Sequence, residues 1–319
     1  MNRRIKIVGI SLVGVIVILS LVLNIMAAFQ AKNFTHFVEP NPTISVLDEN
    51  SSLTKKISSV LFGVQIPKPQ NQLVDLDFVE VDTIYGDVNL EIWRFDMEPS
   101  KGIVALFHGY KSTKSTMWRE GRSFYRMGYS VILVDFRASG NSDGFVSTIG
   151  FYEAEDVVNT FNWCKENYPN QPIYLYGASM GAAATLRAVG ELEIEPAGIM
   201  VQSAFSTMKG ATINRFNLLG LPSWPLANLL TFWGGYINGF DAFVFNPIQY
   251  ASKINTPTLV IHGSLDNRVS WEDSEGIYKN LQGPKEFGVF GKSGHESILN
   301  NEEANWVYLV TNFLDSTKK

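Results

Sequence analysis

Gly177-Ala178-Ser179-Met180-Gly181 decides the fold of this chain. It follows the apolar run Pro172-Ile173-Tyr174-Leu175-Tyr176 and leads into Ala182-Ala183-Ala184-Thr185-Leu186-Arg187. The pattern is strand, tight turn, helix, with a serine at the apex. The flanking glycines let the two backbones approach closely, so the hydroxyl is pushed into the open. Alone the motif is weak, because a small-residue helix packed on a strand reads the same way. Its weight depends on whether the remaining chemical parts follow in the right order.

Outward from this turn, other continuous apolar runs stand at 102–107, 129–136, 197–201 and 257–261, and they predict strands buried on both faces of a parallel sheet. Helical patterns separate them at about 114–126, 151–167, 181–191, 271–281 and 302–315. Lys285 to Phe290 predicts a last strand before the final helix. Alternating strand and helix means a mostly parallel, doubly wound α/β sheet. Before it, Leu73–Tyr85 and Val88–Met97 alternate apolar and polar around Gly86-Asp87, which predicts an antiparallel hairpin at the sheet edge.

The rhythm breaks at about 204–250, a connection too long to be a simple loop. Leu218, Leu219, Leu221, Trp224, Phe232 and Trp233 crowd it, between prolines and glycines. It reads as a helical cap with an apolar underside, and Phe205, Trp224, Phe232 and Trp233 are its candidate substrate-binding residues.

The N-terminus reads separately. Residues 1–4 are a short polar start, and 5–28 is an almost wholly apolar run that would span about 36 Å as a helix. That exceeds the ~30 Å hydrocarbon core of a bilayer, so a transmembrane signal anchor is expected. Arg3, Arg4 and Lys6 precede it and only Lys32 lies just beyond. This bias puts the N-terminus in the cytoplasm and the rest of the chain on the non-cytoplasmic side. A cleaved signal peptide is the alternative, but no clean small-residue cleavage site stands at Ala27–Ala31. Residues 29–71, punctuated by Pro40, Pro42, Pro67 and Pro69, read as a stalk, with one helical piece around Leu53, Ile57, Val60 and Leu61. Asn33-Phe34-Thr35 and Asn50-Ser51-Ser52 fit the glycosylation acceptor pattern, meaningful only in a eukaryotic secretory pathway. The catalytic domain is expected over 72–319.

A serine hydroxyl needs a base in reach, a carboxylate to orient that base, and donors for the developing oxyanion. On this kind of sheet the order is Ser, then Asp or Glu, then His. Of the four histidines, His36 is in the stalk, while His108 and His262 each close a strand. Only His295 lies beyond the last strand, in the glycine-flanked loop Gly291-Lys292-Ser293-Gly294-His295. It is the candidate base. Between Ser179 and His295, Asp241 falls in the cap and Asp273 opens a helix, where it suits the positive helix end. Asp266 follows a strand, at the sheet end where α/β sites gather, and is the candidate acid. The candidate oxyanion donors are the backbone N–H groups of Met180, next after the serine, and Tyr110, after His108-Gly109.

With these residues the chain resembles the α/β-hydrolase superfamily over about 75–319. It is similar to the membrane-anchored or exported serine hydrolases described as esterase- or aminopeptidase-like. The resemblance rests on His108-Gly109, Asp135-Phe136-Arg137-Ala138-Ser139-Gly140-Asn141-Ser142, the Ser179 turn, His262-Gly263 with Asp266, and Gly294-His295. It implies an α/β-hydrolase fold with a helical cap, and a Ser-His-Asp triad. Ala138 stands where the family commonly has glycine, which implies a small local change.

Other chemistries find little support. Net charge is −5 with no basic tract, which argues against nucleic acid. One cysteine, Cys164, allows no internal disulfide, and no His/Asp arrangement suggests a metal. Gly291-Lys292-Ser293 resembles the end of a phosphate-binding loop, but Glu286 stands where that motif needs glycine. No cofactor is expected. The expected partners are the membrane and a small acyl ester or thioester with an apolar acyl group. The alternative is a peptide, cut by the same machinery, with Glu120, Glu153 or Asp241 capturing its amine. A non-catalytic binding protein on the same scaffold is a third reading.

Overall fold

The computed structural model describes residues 3–40, 53–74 and 79–318. The acceptor pattern at Asn50 and Pro42 of the expected stalk lie outside the described residues. In chain order the strands are β1 (Glu80–Ile84), β2 (Leu90–Phe95), β3 (Ile103–Phe107), β4 (Ser130–Val134), β5 (Ile173–Ala178), β6 (Gly198–Gln202), β7 (Thr258–Gly263) and β8 (Lys285–Phe290). They form one sheet in the order β1-β2-β4-β3-β5-β6-β7-β8. The first two pairings, β1 with β2 and β2 with β4, are antiparallel, and the rest are parallel. This is the α/β-hydrolase fold. The apolar runs behave as buried strands should: every residue of β3, β4, β6 and β7 is buried.

The helices are α1 (Arg3–Thr35), α2 (Leu53–Phe62), α3 (Trp118–Arg126), α4 (Glu153–Asn167), α5 (Met180–Gly190), α6 (Met208–Leu218), α7 (Leu226–Ile237), α8 (Pro247–Ala251), α9 (Trp271–Asn280) and α10 (Ile298–Ser316). Two cores lie on opposite faces of the sheet. One packs α4 and α5 against it through Val157, Phe161 and Leu186, and the other packs α3 and α10 through Phe124, Trp306 and Phe313. Helices α6 and α7 form the cap insertion.

The N-terminal segment departs from expectation. The helix does not stop with the apolar run at residue 28 but continues to Thr35, and among the described residues the stretch long and apolar enough to cross a membrane is Val13–Thr35. Nor is the described part of 29–71 a free linker. The end of α1 packs along α7, and Ala31 and Phe37 are buried. Ser147 N donates to Thr35 O at 2.8 Å, and Phe37 N donates to Phe145 O at 2.7 Å. Val38 and Pro67 make an isolated parallel bridge. Asn71 Nδ2 donates to Asp135 Oδ2 at 2.7 Å, on a carboxylate that also pairs with the buried Lys114 ammonium. The physical reason is polar satisfaction: a buried Asp135–Lys114 pair needs further donors, and Asn71 supplies one.

Candidate active site

The turn between β5 and α5 puts Ser179 at φ 54°, ψ −112°, a strained backbone for an L residue. Two glycines make the turn possible. A Cβ on Gly181 would stand 2.3 Å from Phe107 O, and one on Gly177 would stand 2.4 Å from Gly181 O. Ser179 N donates to Gln202 O at 2.8 Å, which ties the apex to the end of β6.

His295 and Asp266 come from the loops after β8 and β7. His295 Nε2 lies 3.0 Å from Ser179 Oγ, and His295 Nδ1 lies 2.8 Å from Asp266 Oδ2. The other carboxylate oxygen of Asp266 accepts from the amides of Arg268 and Val269, both at 2.9 Å. Burial would raise the Asp266 carboxyl, but the His295 hydrogen bond and charge, with the Val269 and Arg268 amides, outweigh it. The group is held below the usual carboxylate range. Hydroxyl, imidazole and carboxylate thus form one hydrogen-bonded chain able to carry a proton away from an attacking oxygen.

Gly109 lies against the serine, since a Cβ built there would stand 3.5 Å from Ser179 Cβ. Its neighbour Tyr110 is therefore beside the reacting centre, and its N–H meets no acceptor among the described residues. The Tyr110 side chain is pinned to α1: its hydroxyl donates to Phe34 O at 2.5 Å, and its ring stacks on Phe34 with centroids 6.4 Å apart. Met180 opens α5, where the first backbone N–H groups have no helical partner. The two amides expected to hold an oxyanion stand next to Ser179 along the chain and across the β3 loop.

The other polar candidates have structural duties. His108 Nε2 accepts from Phe136 N at 3.1 Å in full burial, which lowers its pKa, and His262 contacts the Ser274 hydroxyl at 3.0 Å. Glu153 accepts four hydrogen bonds from Ser147, Thr148 and Gly150. Asp273 caps α9 with Ser270, as expected of a first-turn acid. Asp241 accepts from Phe243 N within the cap. Ala138 adopts φ 60°, the left-handed conformation that explains glycine as the common residue there.

A cavity of about 840 Å³ opens above Ser179 and His295. Its walls correct two expectations. Phe205 lines it, whereas Trp224, Phe232 and Trp233 do not. On α7 the cavity is met by Leu230, Thr231 and Gly234. The aromatic residues occupy other sides of the helix: Phe232 is exposed, and Trp233 turns to α1, where its indole N–H donates to Asn24 Oδ1 at 3.3 Å. Trp224 precedes α7 and is 78% exposed. The second correction is an unexpected wall, Ala31, Phe34 and Thr35 at the end of α1. Its signal in the sequence is the small-residue pair Ala27 and Ala31, one turn apart on the face that α7 covers. Helix α6 gives Met208, Ala211, Thr212 and Arg215, at a spacing that could have been read as one helical face.

Comparison with known proteins agrees with this fold. The family described as serine aminopeptidase, S33, matches residues 98–230. An uncharacterized Bacillus subtilis protein, YqkD, is 24% identical over 216 residues, covering 67% of this chain and 71% of that one. The lysophosphatidylserine lipase ABHD12 of Macaca fascicularis is 24% identical over 216 residues, 63% of this chain but only 50% of the lipase. Among solved structures, the Pyrococcus furiosus esterase Pf2001 superposes with a TM-score of 0.63 at 25% identity, covering 78% of this chain and 97% of the esterase.

Proposed function

We propose that this serine hydrolase, which has the α/β-hydrolase fold, cleaves carboxylic esters or thioesters of apolar acyl groups through Ser179, His295 and Asp266. The observation that carries the reading is the hydrogen-bonded chain from Ser179 Oγ through His295 to Asp266 at the base of the cavity. His295 Nε2 takes the hydroxyl proton as Ser179 Oγ attacks the acyl carbon. The Met180 and Tyr110 amides hold the oxyanion, each contributing about 3–4 kcal/mol of transition-state stabilisation. As the tetrahedral intermediate collapses, His295 returns the proton to the leaving alkoxide or thiolate, and the acyl group stays on Ser179. A water then repeats the sequence, and the carboxylic acid leaves.

Esters are favoured over amides for two reasons. The cavity is lined by apolar residues of the cap, such as Met208, Leu230 and Phe240. The esterase and lipase relatives act on esters, as their names state. The serine aminopeptidase family match keeps the peptide reading in play. Of its three candidate amine-capturing acids only Glu120 lines the cavity. Burial pushes the Glu120 carboxyl up against the opposing Ser297 hydrogen bond, so it is a weak counter-charge for an ammonium group.

The helix ending at Thr35 anchors the chain in a bilayer, with the cap against the membrane surface and the catalytic domain on the non-cytoplasmic side. The exposed Trp224, Phe232 and Tyr236 support the cap's place against the membrane surface. A fluorophosphonate probe should label Ser179, with parallel turnover of acyl nitrophenols and aminoacyl anilides deciding between ester and amide. Folded protein that takes no label, or that turns over only the anilides, would end the ester reading.

A further inference from the structure

Three cations line the same cavity from three separate elements: Lys111 in the loop after β3, Arg215 on α6 and Arg268 in the loop after β7. Nothing in the catalytic chemistry uses their charge. Among the described residues none of them forms an ion pair with a carboxylate. The charges that act on Lys111 are those of Arg215 and Arg268, and Arg268 also acts on Arg215. The three side chains are exposed at the rim, and like charges gathered there on a chain whose net charge is −5 make a local positive field that favours an anion.

The surroundings hold the cluster in place. The Arg215 guanidinium lies 4.3 Å from the centroid of the Phe34 ring, which fixes it over the end of α1. Lys111 sits at φ 58°, in the left-handed region that a side-chain-bearing residue enters only when the loop requires it. It directly follows Tyr110. Arg268 gives its backbone N–H to Asp266, so its position is set by the catalytic acid. Two acids also line the cavity: Glu120 accepts from Ser297 through one oxygen while its other oxygen is buried without a hydrogen bond, and Glu296 accepts from Gly294 N and Asn301; among the described residues neither pairs with the three cations.

We propose that Lys111, Arg215 and Arg268 form an anion subsite that receives a phosphate or carboxylate on the alcohol side of the ester, while the apolar wall of α6 and α7 takes the acyl chain. The substrate class is then a single-chain amphiphilic ester with a negatively charged head. This deepens the ester-hydrolase reading and rests on it.

The test uses the full chain in zwitterionic vesicles and two esters with the same acyl chain, a monoacylglycerol and a monoacylglycerol phosphate. The anionic ester should be preferred in kcat/KM by about tenfold or more, as expected for one well-placed charge contact. In Arg215→Gln/Arg268→Gln the preference should fall to below about threefold, chiefly through KM, while Arg215→Lys/Arg268→Lys keeps most of it. Inorganic phosphate separates a free anion from a tethered one. Inhibition of neutral-ester turnover that the Gln pair abolishes assigns the site to free phosphate too; preference without inhibition assigns it to the substrate head alone. Equal turnover of the two esters, or a preference that survives the Gln pair, overturns the subsite. Binding of both esters to the Ser179→Ala chain keeps the two readings distinct. Tighter binding of the anionic ester without any wild-type hydrolysis sinks the ester-hydrolase reading and leaves the subsite standing.

Discussion

The floor and the roof of the cavity are built on different principles. The floor is made of turns at the carboxyl ends of β3, β5, β7 and β8, the first three of them strands buried almost throughout. There, backbone hydrogen bonds and close glycine contacts leave each reacting group one position. The roof is made of the ends of α1, α6 and α7, with much apolar surface outside, including Leu219 at 64% and Tyr236 at 69% exposure. A wall of that kind selects by shape. Turnover should therefore be governed by the floor, and the choice of acyl chain by the roof.

The sharpest way to break this division is Ser179→Ala. Hydrolysis should fall by a factor of about 10³–10⁶, while the thermal midpoint stays near wild type. A melt that collapses with the activity would make Ser179 part of the fold's support. Asp266→Asn should reduce kcat by about 10²–10⁴, because the imidazole loses the group that sets its tautomer. A steady-state measurement showing less than a tenfold loss would move the acid's role elsewhere.

Acidification tests the same floor. Because Asp266 is held below the ordinary carboxylate range by the His295 hydrogen bond and the Val269 and Arg268 amides, it keeps its charge in mild acid. Activity should fall on the acid side as a single proton binds, with a slope of about one in log kcat/KM against pH. A slope of two would bring the carboxylate into the same titration. The stability Asp266 adds is complete above its ordinary pKa of about 4 and is lost only as pH falls through its lower folded value.

The roof is sharpened by Ala31→Phe, which fills the wall at the end of α1. The ratio of long-chain to acetyl ester kcat/KM should drop about tenfold, the scale of a methylene or two in an apolar pocket. The smallest effect belongs to Trp224→Ser and Phe232→Ser. Both side chains face away from the cavity, so turnover of a soluble ester should change by less than about twofold. A larger change would put them back among the substrate contacts.

How far the sequence could be read follows the same division. The Ser179 turn, the buried strands and the loops carrying Asp266 and His295 are legible because each depends on local pattern: continuous apolar runs, glycine spacing and strand-end position. The roof is less legible because its contacts join residues far apart in the chain. Trp233 faces Asn24, and Arg215 covers Phe34, pairings that neither segment announces alone. An apolar run at residues 5–28 reads as self-sufficient, so nothing in it points to a domain packed on its last turns. Asn71 on Asp135 was invisible for the same reason: a buried carboxylate's need for donors appears only once burial is known.

The last turns of α1 give the molecule an unusual dependence. Phe34 carries the carbonyl that holds the Tyr110 hydroxyl, and Ala31 and Thr35 close one side of the reaction chamber. A protease cutting between Ala31 and Phe37 would free the globular part from its leader and unseal the chamber in the same stroke. Shedding and inactivation would be one event, so a released form could keep its activity only if the scission fell upstream of Ala27.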